Sequence, residues 1–176
     1  MNTQTYKPGN AYGADIQKEG EKWTLVLVRK FKQSPEKVWA AITDPAQLRE
    51  WAPFDADRNL GAAGKAMLTT VGAPQLHVTE TQVKRADAPK VLEMTWGGND
   101  IRWELEPSDG GTRLTLWHNI DRNYIAMGAA GWHIALDVLQ RSLDGQPIGR
   151  MAGPDAMKVE GWKELLGEYS KQFKAA

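Results

Sequence analysis

Three histidines decide most of the catalytic readings open to this chain, which has no cysteine. Leu114, Leu116 and His118 alternate with Arg113, Thr115 and Trp117. That period places His118 on the leucine-lined face of a strand, where it could orient a ligand, act as acid or base, or serve as a buried, satisfied structural side chain. His133 and Asp137 stand four apart in a stretch of helical period and can pair on one face. This spacing reads as a structural pair near the helix surface rather than a catalytic dyad. His77 lies on an edge-like strand and reads as solvent-facing. With no HxxxH or HxH spacing and the histidines on separate elements, no metal site is expected.

The lack of cysteine removes disulfides, thiol catalysis and Cys-containing metal centres, and it fits a reducing, cytoplasmic setting. No GxGxxG follows a strand and opens a helix, and there is no P-loop. The glycine groups are turn chemistry, and Gly128 to Gly131 has no following Lys-Ser/Thr that would make it a phosphate loop. No Ser/His/Asp set has a revealing spacing. No catalytic residue, metal or cofactor is therefore assigned.

These side chains must be held by a domain of ordinary composition. The chain has 176 residues, 41% hydrophobic and 25% charged, which is one domain's worth of a typical globular protein. Its 22 basic and 22 acidic residues cancel, so the basic excess of a nucleic-acid binder is missing. No apolar run reaches the length of a membrane span. Met1 to Gly20 is polar, with scattered Gly and Pro, and reads as a loosely ordered leader. Residues 21–176 then form a single domain. Eight tryptophans against three phenylalanines suit pocket walls or interfaces, since Trp joins a large apolar body to one N–H donor; the same residues also serve as core filler.

The first strand is Trp23 to Phe31, apolar on both faces near its middle. Ser34 and Pro35 start a short helix with Val38, Trp39 and Ile42 as its stripe. Asp44 and Pro45 start a second, with Leu48 and Trp51, and Pro53 stops it. From about Arg58 to Ile120 the chain reads as antiparallel strands joined by tight turns: Lys65 to Val71, Leu76 to Arg85, Val91 to Trp96, then runs centred on Trp103 and Leu116. Gly97-Gly98-Asn99-Asp100 and Ser108-Asp109-Gly110-Gly111 mark hairpins. After Asp121 the period becomes helical. Trp132, Ala135, Leu136, Leu139 and Leu143 form one apolar face. Gly128 to Gly131 is poor helix by propensity, so its glycines permit close approach or a kink. Gly145 and Pro147 end the helix. Gly149 to Pro154 is a linker, and a last amphipathic helix at about 155–174 carries Trp162, Leu165, Leu166, Tyr169 and Phe173 on one face, to pack on its own domain or on a partner.

Strand, two short helices, meander and long helix, in that order, resemble the START-like (SRPBCC, Bet v 1-like) superfamily. More narrowly, the chain is similar to bacterial homologues of the activator of heat-shock protein 90 ATPase. Ser34-Pro35-Glu36-Lys37-Val38-Trp39 through Thr43-Asp44-Pro45, with Trp51, carry the likeness. So do Leu92 to Trp96, Gly110 to Leu116 with His118, and Gly131-Trp132-His133 with Leu136-Asp137. The resemblance implies an α+β helix-grip fold, a curved antiparallel sheet around a long C-terminal helix, enclosing an apolar cavity. It fixes no activity, because the superfamily holds lipid carriers, hormone receptors, aromatase/cyclase subunits and co-chaperone domains.

On that fold, alternation turns Leu92, Met94, Trp96, Ile101, Trp103, Leu105, Leu114, Leu116 and His118 inward. The expected ligand-binding set is Trp39, Trp51, Met67, Met94, Trp96, Trp103, Leu105, Leu116, His118, Trp132 and Leu136. The leading expectation is a monomer or homodimer that binds a small hydrophobic, lipid-like or aromatic molecule. One alternative is a cyclase/dehydratase-like enzyme in which His118 and a nearby carboxylate move protons. The other is an interaction or co-chaperone-like module using the Trp162–Phe173 face.

Overall fold

A computed structural model describes residues 6–174. Its main sheet has six strands in the order β1-β2-β9-β8-β7-β6, and a second sheet has the order β3-β4-β5. The strands are β1 Ala14–Glu19, β2 Lys22–Phe31, β3 Phe54–Ala56, β4 Gly64–Thr70, β5 Val78–Val83, β6 Arg85–Asp87, β7 Val91–Trp96, β8 Asn99–Ser108 and β9 Gly111–Asn119. The helices are α1 Pro35–Thr43, α2 Pro45–Leu48, α3 Ile125–Leu143, α4 Pro154–Met157 and α5 Trp162–Lys174. This is the helix-grip arrangement, a curved antiparallel sheet against the long helix α3.

Local chemistry explains most boundaries. The Ser34 hydroxyl accepts from the Lys37 amide at the start of α1, and the Asp44 carboxylate accepts from Ala46 at the start of α2. Each cap is followed by proline, whose missing N–H falls where the helix has no use for it. Between β7 and β8, Trp96 pairs with Asn99. Between β8 and β9, Ser108 pairs with Gly111. Both loops are thus two residues long, and both place positive φ on the two central residues, Gly97-Gly98 and Asp109-Gly110. That is the type I′ geometry that matches strand twist.

The predicted alternation holds across the centre of the sheet. Leu92 pairs with Trp103, Trp103 with Leu116, Met94 with Ile101, and Ile101 with His118. All six are buried. Helix α3 is buried on nearly its whole circumference, because the sheet covers one side and α5 the other. Trp162, Leu165, Tyr169 and Phe173 of α5 are buried in this contact, so that apolar face is consumed within the domain.

Four expectations need correction. The leader is not loose over its second half: Ala14–Glu19 forms β1, paired with β2 from Ala14↔Leu27 to Glu19↔Lys22. Tyr6 is also buried, while residues 1–5 lie outside the described part. The C-terminal helix is two helices, α4 and α5, separated at Gly161 with φ 95°. His133 is fully buried rather than near a helix surface, since α5 covers that side of α3. Finally, Met67 shares no face with its buried neighbours Ala66 and Leu68 and pairs across with exposed Glu80, so it points away from the core. His77 is exposed, as expected.

Candidate functional site

His118 is the last inward-facing residue of β9, flanked by Leu25 on β2 and Ile101 on β8. Opposite it, Trp132 on α3 donates its indole Nε1–H to His118 Nδ1 at 3.0 Å. An indole nitrogen is a donor only, so Nδ1 must present its lone pair. The imidazole is then neutral, with its proton on Nε2. Burial pushes its pKa down to about 4, which agrees with that state at neutral pH. Nε2 is buried and has no partner among the described residues.

Aromatic rings surround this pair. Trp96 stacks on His118 with centroids 5.8 Å apart and planes at 25°. Trp132 meets Trp96 edge-on at 6.1 Å and Trp103 edge-on at 5.6 Å. Trp103 meets Trp51 at 6.1 Å. The Trp96 indole donates to Thr70 Oγ1 at 3.1 Å, which fixes its ring plane against the imidazole.

Beside this cluster is a pocket of about 160 Å³, lined by Pro53, Trp96, His118, Ile120, Gly128, Gly131, Trp132, Ala135, Ala152, Gly153 and Ala156. Its floor is buried Trp132, His118, Ala135, Ala152 and Ala156, while Pro53, Ile120, Gly128 and Gly131 keep partial exposure and Gly153 is exposed. The pocket therefore opens to solvent at that rim. His118 is its one titratable side chain. The glycines have different roles. A Cβ on Gly128 would lie 2.5 Å from Ile120 Cδ1, so this glycine permits close approach; a Cβ on Gly131 would meet nothing within 4 Å. Gly131 thus leaves space where most residues would fill it.

Of the expected ligand-binding residues, the pocket brings together Trp96, His118 and Trp132. Trp39, Trp51, Met94, Trp103, Leu105, Leu116 and Leu136 are packed into the hydrophobic core instead, and Met67 faces the other way. Among the described residues the concave face is packed with these side chains, and the pocket lies at the end near the start of α3. Sequence reasoning missed Pro53, Ile120, Ala152, Gly153 and Ala156, which come from loops and from α4. Gly128, Gly131, Trp132 and Ala135 did carry a signal: small residues at i, i+3 and i+7 on one helix face.

A second polar cluster lies on another side of α3. Arg29, at an inward position of β2, donates through Nη1 to the Tyr12 and Val28 carbonyls at 3.0 and 2.8 Å, with its guanidinium 4.0 Å from the Tyr12 ring centroid. Its Nη2 lies 3.4 Å from His133 Nδ1, and the Tyr169 hydroxyl is 2.7 Å from the same nitrogen. His133 Nε2 faces Asp137 at 3.5 Å, and Tyr6 donates its hydroxyl to Asp137 at 2.5 Å. Burial, then the Arg29 charge, lowers the His133 pKa to about 4. Burial raises those of Asp137 and Tyr169. The cluster ties the N-terminal segment, β2, α3 and α5 together and contributes nothing to the pocket wall.

Comparison with known proteins places this geometry. Residues 32–144 match the family model of the Activator of Hsp90 ATPase homolog 1-like protein. Among solved structures, the conserved protein of unknown function EF2215 from Enterococcus faecalis superposes with a TM-score of 0.70 at 19% identity, covering 94% of this chain and 93% of that one. CalU16 from Micromonospora echinospora gives 0.59 at 21% identity, over 92% and 99% of the two chains. An AHSA1-like protein from Aeromonas hydrophila gives 0.57 at 19%, over 69% and 92%. At these identities the structures share the fold with this chain. No curated protein matches it significantly.

Proposed function

We propose that this chain, which belongs to the Activator of Hsp90 ATPase homolog 1-like family, is a binding protein for a small, mainly apolar molecule. The observation that carries the reading is the pocket at the start of α3, apolar on nearly every wall and left open by Gly131. An apolar concavity with few convergent polar groups is the usual form of a small-molecule site. Its volume of about 160 Å³ limits the occupant. An apolar cavity of roughly 150 Å³ takes one benzene ring, so the space inside the rim suits a single ring or a short aliphatic group.

Binding is favoured over proton transfer by the state of His118. Its Nδ1 lone pair is taken by Trp132, and its Nε2 holds the proton, which leaves no free lone pair for a general base. No carboxylate lines the pocket to stand in for it.

The test is native mass spectrometry of the purified chain, followed by solvent extraction and a thermal-shift screen of monocyclic aromatic and short aliphatic compounds. A bound or stabilising compound of one-ring size supports the reading. An empty protein that shifts with none of them overturns it.

A further inference from the structure

Among the residues that line the pocket, one side-chain polar atom is left unpaired. The indole nitrogens of Trp96 and Trp132 are already bonded, to Thr70 and to His118. His118 Nε2 is left without a partner among the described residues, on a side chain only 6% exposed. Buried polar groups are nearly always satisfied, and leaving one unmade is costly. Because Trp132 can only donate, the His118 tautomer is settled by its neighbour, and the atom left over is a donor rather than an acceptor. Trp96 stacks on the imidazole and Trp132 meets it edge-on, and both also line the pocket.

We propose that the ligand is a monocyclic aromatic compound bearing an uncharged hydrogen-bond acceptor, an aryl ketone, aldehyde or ester oxygen, which accepts from His118 Nε2–H while its ring packs against Trp96 and Trp132. This specificity rests on the pocket being a ligand site. No cation lines the pocket to neutralise a carboxylate, and burying an unpaired charge there would be expensive, so the acceptor is neutral. A neutral imidazole donating in this way holds and orients a carbonyl without taking a proton from it.

The experiment compares acetophenone with α-methylstyrene, two molecules of nearly the same shape that differ in C=O against C=CH₂. Both are titrated into the full chain by calorimetry, and the His118 Nε2–H resonance is followed by ¹⁵N-edited NMR. The expected result is acetophenone tighter by about tenfold or more, the effect of one hydrogen bond to a buried donor, with the Nε2–H proton moving downfield only for the ketone. In His118→Leu, confirmed as folded by circular dichroism, the preference disappears. Equal binding of the two with an unmoved Nε2–H overturns the acceptor specificity and leaves the pocket as an apolar site. Failure of both to bind up to their solubility overturns the specificity and the ligand site together.

Discussion

Trp132 on α3 and His118 on β9 are joined by a 3.0 Å hydrogen bond from the indole Nε1–H to the imidazole Nδ1, which links the long helix to the sheet at the floor of the pocket. The bond sets the tautomer of His118 without any charged group. Trp132→Phe keeps a ring there but removes the donor. The orphaned Nδ1 and the lost volume together cost about 2–4 kcal/mol of stability, read by urea denaturation. The ¹⁵N shifts of His118 then lose the pure Nε2–H pattern expected of the wild type. A wild-type spectrum with the proton on Nδ1 would contradict the assignment.

Acid should destabilise the protein in a defined window. His118 and His133 protonate near 6.5 when unfolded but not until about 4 when folded. Between those values the unfolded chain binds more protons, so stability rises with pH across the window and falls on acidification. At pH 5 the loss is about 2 kcal/mol for each histidine, and above pH 7 they add no slope. Asp137 works in the opposite sense, because burial raises its folded pKa and protonation there favours the folded state as pH falls. The urea midpoint at pH 7.5 should exceed that at pH 5, with a smaller difference in His118→Gln. Equal midpoints in the wild type would count against two buried neutral histidines.

The central strands were legible in the sequence, while the pocket largely was not. Leu92, Met94, Ile101, Trp103, Leu114 and Leu116 alternate with polar neighbours, so the inward face can be read from period two alone. Strand β4 offers no such contrast. In Lys65-Ala66-Met67-Leu68 both phases contain an apolar side chain, and Ala66 and Leu68 take the core while Met67 turns away. Strand β1 has only Ala14 and Ile16 as inward apolar residues in a polar segment and owes its order to pairing with β2. The i, i+4 spacing of His133 and Asp137 puts the pair near a surface, because one helix's periodicity does not announce a second helix packed behind it. The pocket joins residue 53, residue 120 and residues 152–156 to α3, a meeting of distant loops that no local pattern encodes.

The N-terminal segment should loosen when its anchor is removed. The Tyr6 hydroxyl bonds to Asp137 at 2.5 Å, and the ring is buried. Tyr6→Phe preserves the ring and should cost about 1–3 kcal/mol, with faster amide exchange in the segment leading into β1. Exchange and stability identical to the wild type would show that the contact does not hold the segment.

Helix α5 should behave as part of the core. Trp162 is 6% exposed and Phe173 2%. Trp162→Ala should lower stability by about 3–5 kcal/mol with no change in native mass. A variant as stable as the wild type but altered in oligomeric mass would assign this face to a partner instead.

The most direct test of the pocket is to fill it from Gly131, whose Cβ position faces open space. Gly131→Ala should raise stability by up to about 1 kcal/mol through helix propensity, and Gly131→Leu should occupy the pocket while the protein stays folded. Calorimetric titration of acetophenone into the wild type and both variants is the measurement. Affinity falling from wild type to Ala and vanishing in Leu, with melting temperatures maintained, is the predicted result. Undiminished binding in a folded Gly131→Leu protein would place the ligand elsewhere and contradict the account.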